Sequence, residues 1–118
     1  MSGAEIAVTD DIATCLELRR IVFTQEQGVP VADEQDGRDS EAVHLLARWN
    51  GRPVGTARLL TLGEIGKIGR VCVLETARGT GLGAALIRAA VAEFRGTPGV
   101  VRVKLGAQIG RASCRERV

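Results

Sequence analysis

Between Arg70 and Ala90 the chain reads RVCVLETARGTGLGAALIRAA, an apolar strand-like run that passes through Gly79, Gly81 and Gly83 into an alanine-rich helical run. Glycines at such a junction let the backbone approach a ligand closely, and the first N–H groups of a helix have no intrahelical acceptor. The junction therefore suits an anion. Two common phosphate loops do not fit it. A Walker loop needs Gly-Lys followed by Ser or Thr, which occurs nowhere in the chain. A dinucleotide fingerprint needs GxGxxG and an acidic residue about 20 residues further on, whereas this stretch is GxGxG. Arg78, Gly79, Thr80, Gly81, Leu82 and Gly83 instead have the form R-x-x-G-x-G, which sets one cation beside a series of backbone donors and suits a pyrophosphate. Glycines that serve only a tight turn are the plainer alternative, and the residues alone leave both readings open.

The rest of the chain supplies a scaffold around that junction. Glu5–Val8 is a short strand, and Thr9 or Asp10 can cap a helix running to about Gln27, with Ile12, Leu16, Arg19 and Phe23 on one face and Cys15 and Val22 beside it. Gly28 and Pro30 end that helix, and Asp33–Glu41 is an acidic stretch without apolar period, expected to be a loop. VHLLARWNGRPVGTARLLTL reads as a hairpin turning at Asn50-Gly51, and KIGRVCVL as a third consecutive strand. The helix that follows repeats Leu86, Ala90 and Phe94 at helical spacing, flanked by Ile87 and Val91. After the breaker GTPG, VVRVKLGA is a last strand. Strand, helix, three strands, helix, strand predicts an α+β domain with a mixed sheet.

Composition narrows the function classes. A chain of 118 residues is one domain, and with 45% hydrophobic residues but no apolar run near ~20 residues it reads as a soluble globular protein without a membrane span. The N-terminus lacks the features of a signal peptide, so the cytoplasm is expected. Cys15, Cys72 and Cys114 have no metal-ligand spacing and His44 is the single histidine, so no metal site is expected. A formal charge of +2, with only Phe23, Trp49 and Phe94 to stack on bases, gives no case for nucleic acid. The final residues, 109–118, IGRASCRERV, resemble the translation of a common short-read sequencing adapter and are read as a non-native tail. Without that tail's three arginines and one glutamate the remaining chain carries no formal net charge.

With the glycine signature, the strand before it and the segments LRRIVFTQEQGVP, VHLLAR, VGTARLL, IGRVCVL and LGAQ, the chain resembles the GNAT superfamily of acetyl-CoA-dependent N-acetyltransferases, of the ElaA and YjcF type. The likeness spans nearly all of Glu5 to Gln108, so residues 1–108 are read as a partial domain of that family. It implies a three-layer fold with a central mixed, mostly antiparallel sheet flanked by helices, the last helix and strands being missing.

The resemblance also implies a site. Val71, Cys72 and Val73 would pair their backbone with the pantetheine arm, while Arg78, Gly79, Thr80, Gly81, Leu82, Gly83 and Ala84 would hold the pyrophosphate of acetyl-CoA. The fourth and fifth strands would splay to admit the thioester, which an amine acceptor attacks directly. An amine with an ordinary pKa near ~10.4 needs a base, for which Glu26 and His44 are the candidates, and the developing oxyanion needs a donor, for which the backbone near Val71 to Val73 is expected. Helix-end pairing for Glu26 and core packing for His44 are the plainer alternatives. Arg58 and Arg70 are expected to pair with Glu26 or Asp36. A covalent route through Cys72, with His44 as its base, is weaker than a small apolar core role for the thiol. The family's usual acid is a tyrosine beyond the fifth strand, and this chain has no tyrosine. Small amines, peptide N-termini and protein lysines all remain open as acceptors, a homodimer is one open arrangement, and a non-catalytic CoA-binding module of the same fold is the alternative function.

Overall fold

A computed structural model of the chain describes residues 4–28 and 39–105. The proposed tail, most of the acidic loop and Asp36 lie outside these residues. Strand β1 (Ala4–Thr9) leads into helix α1 (Ile12–Arg19), followed by a π-helical segment, Arg20–Glu26. A 3-10 turn at Asp39–Glu41 precedes β2 (Val43–Trp49), β3 (Arg52–Leu62) and β4 (Ile65–Val73). A second 3-10 turn (Glu75–Ala77), helix α2 (Leu82–Arg95) and strand β5 (Arg102–Leu105) complete the described chain.

The five strands lie in sequence order; β1 to β4 pair antiparallel, and β5 returns parallel to β4 after the α2 crossover. This is the expected mixed, mostly antiparallel α+β sheet. The β2–β3 hairpin turns at Asn50 (φ 53) and Gly51 (φ 83), two consecutive positive angles that match the right-handed twist of the strands. A helix covers each face of the sheet. Leu86, Ala90 and Phe94 of α2 bury against Leu45, Ala47, Ala57, Leu59 and Ile68 on one face. On the other, Cys15, Leu18, Val22 and Phe23 pack over Leu46 and Cys72.

Several boundaries differ from the sequence reading. Asp11, rather than Thr9 or Asp10, caps α1: its Oδ1 accepts from the Thr14 N–H at 3.2 Å and its Oδ2 from the Thr14 hydroxyl at 2.7 Å. The buried face of the helix centres on Cys15, Leu18, Arg19, Val22 and Phe23, so Leu18 replaces the half-buried Ile12 and Leu16. The α-helical ladder widens at Arg20, and Gly28 (φ 76) closes the segment by donating its N–H to Thr24 O at 3.1 Å. β4 starts at Ile65 instead of Lys67, because the ladder to β3 extends through Gly66 in spite of its weak strand preference.

Candidate functional site

The start of α2 is built without a side-chain cap. Gly81 caps it in the left-handed conformation (φ 84), following Gly79 (φ 82), and these angles are strained for any residue with a Cβ. Ala85 N–H closes the first helical turn onto Gly81 O at 3.0 Å. The N–H groups of Leu82, Gly83 and Ala84 stand before that bond, at positions with no intrahelical acceptor. The positive end of the helix dipole adds to their pull on an anion.

Strand β4 contributes a backbone edge. Leu74 N–H donates to Val54 O at 2.8 Å, so Leu74 and Cys72 turn their amides toward β3, while Val73 and Val71 turn theirs to the opposite edge. Pairing with β5 spans only Ile65 to Ile68 of β4 among the described residues. Between the two halves lies a bulge, where the β3 register shifts between Thr56 and Arg58 and Arg70 takes φ 51. Whether β5 splays beyond Leu105 falls outside the described residues.

The loop, the strand edge and the end of the π-helical segment enclose a cleft of about 400 Å³. Val71, Cys72, Val73, Arg78, Gly79, Gly81, Leu82 and Gly83 line it, so eight of the ten expected cofactor-binding positions are brought together. Thr80 instead lines a neighbouring hollow with Arg88, and its hydroxyl donates to Ala77 O at 2.6 Å. Ala84 has its place through its helical N–H alone. Sequence reasoning missed Val22, Gln27 and Ala77 in the wall, although the first two fall in the VFTQEQ segment. Gln27 Oε1 is buried and has no hydrogen-bond partner among the described residues, an acceptor beside the cleft.

The two candidate bases are placed apart. Glu26 Oε1 accepts from Arg78 Nη2, and Arg78 Nε also donates to Val73 O at 3.0 Å. Glu26 thus meets the loop arginine, while the alternative pairing of Arg58 and Arg70 with Asp36 lies outside the described residues. His44 is 1% exposed and absent from the cleft wall, with Nδ1 bonded to Arg19 at 2.8 Å and Nε2 to Asp39 O at 2.9 Å. Burial pushes its pKa below the ordinary histidine value; the Asp39 hydrogen bond opposes this, and the Arg19 charge adds to it. With both ring nitrogens committed, His44 has none left to take a proton from an acceptor amine or from the Cys72 thiol. Arg19 and Arg58 converge on Asp39 at 3.0 and 3.4 Å, so Arg58 pairs with Asp39 in this structure.

A cradle of backbone donors at a helix start, a cation on the same loop and a strand edge uncovered among the described residues are the features expected for a pantetheine-linked pyrophosphate. The model of the acetyltransferase (GNAT) family matches residues 10–115.

The chain belongs to the acetyltransferase (GNAT) family.

Individual relatives agree with this placement. The chain is 39% identical over 92 residues to BSU40680 of Bacillus subtilis (strain 168), a protein named as an acetyltransferase, covering 75% of this chain and 63% of that protein. It is 35% identical over 72 residues to the uncharacterized N-acetyltransferase YjcF of the same organism, covering 61% of this chain and 51% of YjcF. The fold is similar to the crystal structure of Escherichia coli ElaA, with TM-score 0.76 and 30% identity over 88% of this chain and 78% of that one. The chain thus spans between half and two thirds of the length of these two Bacillus GNAT relatives. Among the described residues of this GNAT domain, no helix is long and apolar enough to cross a membrane, and no group of His, Cys, Asp and Glu is arranged to hold a metal ion.

Proposed function

We propose that this protein is a cytoplasmic N-acetyltransferase, moving an acetyl group from acetyl-CoA to an amine on a small molecule or peptide by direct attack. The single observation that carries the reading is the cleft, where the uncapped start of α2 and the Arg78 guanidinium meet the backbone edge of Val71 and Val73, uncovered among the described residues. Bound acetyl-CoA supplies an activated acetyl thioester. Leu82, Gly83 and Ala84 would donate their N–H groups to the pyrophosphate, with Arg78 adding charge and Gly79 and Gly81 allowing the close approach. Val71 and Val73 would pair with the amides of the pantetheine arm as a strand pairs with its neighbour. Gln27 Oε1 fits this arm as well, because it is a buried acceptor with no donor among the described residues.

For the chemistry, a backbone N–H near Val71 to Val73 would stabilise negative charge developing on the acetyl oxygen. Glu26 is the carboxylate we assign to deprotonating the acceptor, directly or through water, and it can do so only when Arg78 has exchanged it for a phosphate. His44 has no such role, since its ring is used within the core. Residues 109–118 are proposed to be a non-native tail.

The pairing of Glu26 with Arg78 and the withdrawal of His44 favour a second reading, a CoA-binding module of the same fold without catalysis. Both readings are tested by titrating CoA into the protein while following thiol release from acetyl-CoA with a panel of polyamines, amino sugars and peptides. Binding with amine-dependent release is the outcome for the transferase. Binding without release supports the module, and absence of binding overturns both.

A further inference from the structure

Arg78 brings the cationic side chain of the glycine loop to the cleft, and in this structure it is already engaged on two sides. Its Nε holds Val73 O on the strand edge, and its Nη2 holds the carboxylate of Glu26, which arrives from the end of the π-helical segment. The carboxylate therefore occupies the cation that the loop would offer to a phosphate, and the guanidinium occupies an edge acceptor that the pantetheine arm would use. The pair is partly open to water, with 44% of the Arg78 side chain and 30% of the Glu26 side chain exposed, so it is weak enough to exchange. A pyrophosphate diester brings two negative charges to the same cation and to the helix N-terminus, where one carboxylate brings a single charge.

We infer that Glu26 is a specificity-determining residue of the cofactor cleft, competing with the pyrophosphate for Arg78. A ligand that carries the pyrophosphate displaces Glu26 and frees Val73 O, whereas a ligand with the pantetheine arm alone leaves the ion pair closed. Cofactor loading and release of the Glu26 carboxylate are thereby one event. This inference rests on the reading of the cleft as a CoA site.

The test is calorimetric titration of the full chain and its Glu26→Gln variant with CoA and, separately, with pantetheine. Removing the competing charge is expected to tighten CoA binding about two- to fivefold and to leave pantetheine binding unchanged. Glu26→Ala, which removes the hydrogen bond as well as the charge, is expected to change in the same direction. Equal or weaker CoA affinity in both variants overturns the competition while leaving the CoA site intact, and equal tightening of pantetheine overturns the dependence on pyrophosphate. No CoA binding by any of the three proteins overturns the CoA reading itself and the competition with it.

Discussion

Arg19 donates from Nη2 to Nδ1 of His44 across 2.8 Å, and this fixes the state of the histidine ring. A guanidinium has donors only, so Nδ1 must be the unprotonated acceptor and the ring proton must sit on Nε2, where Asp39 O receives it at 2.9 Å. The ring is thus held neutral between a buried cation and a backbone carbonyl. Asp39 then ties α1 to the sheet, because its side chain meets Arg19 from the helix and Arg58 from β3.

This arrangement makes stability depend on pH in a defined window. The folded state holds the His44 pKa below its ordinary value, while the unfolded chain titrates near ~6.5. As pH falls below about 6.5, the unfolded state binds a proton that the folded state declines, so stability decreases until the lowered folded value is reached. The slope from this one site is at most about 1.4 kcal/mol per pH unit. Because the chain has a single histidine, urea midpoints between pH 5 and 8 should lose this slope in His44→Gln.

Removing Asp39 should be costly. Arg19 is 0% and Arg58 5% exposed, so Asp39→Ala takes the carboxylate from two buried guanidinium groups. The expected loss is about 3–5 kcal/mol in denaturant unfolding, and Asp39→Asn should lose less because it keeps an acceptor. A change below about 0.5 kcal/mol in Asp39→Ala would contradict the anchoring role.

Gly66 is required for space. A Cβ built there would lie 2.6 Å from Cδ1 of Phe94, whose ring covers the β4 backbone. Gly66→Ala should cost about 1–3 kcal/mol through overpacking, and adding Phe94→Leu should recover part of the loss from the steric clash. Thermal unfolding of the single and double variants checks this, and an unchanged midpoint in Gly66→Ala would contradict it.

What could be read in advance was local. Asn50-Gly51 names its own turn, the spacing of Leu86, Ala90 and Phe94 names a helix face, and Arg78 to Gly83 names a glycine turn into a helix start, because each signal lies within a few residues. The pairing of Glu26 with Arg78 joins residues 52 positions apart, and no local pattern encodes it. Arg19 could be assigned to the buried face of its helix, but its carboxylate partner arrives from Asp39 across the fold. His44 is eligible as a base by residue type, because histidine titrates near neutrality, but no local pattern encodes its burial or the Arg19 and Asp39 groups that engage both its nitrogens. The start of β4 is obscured by Gly66, which carries no strand signal although the ladder runs through it.

The central claim is that the glycine loop and helix start hold the pyrophosphate of coenzyme A, and calorimetric binding of CoA to the wild-type chain and to Gly81→Val tests it most directly. Gly81 sits at φ 84, where a β-branched residue costs about 1–3 kcal/mol of backbone strain, so the loop must abandon the cradle or hold it at that expense. The account predicts CoA binding by the wild type and a loss of about tenfold or more in the variant, with α2 still folded by circular dichroism. Equal CoA affinity in the two proteins, or no CoA binding by the wild type, would contradict it.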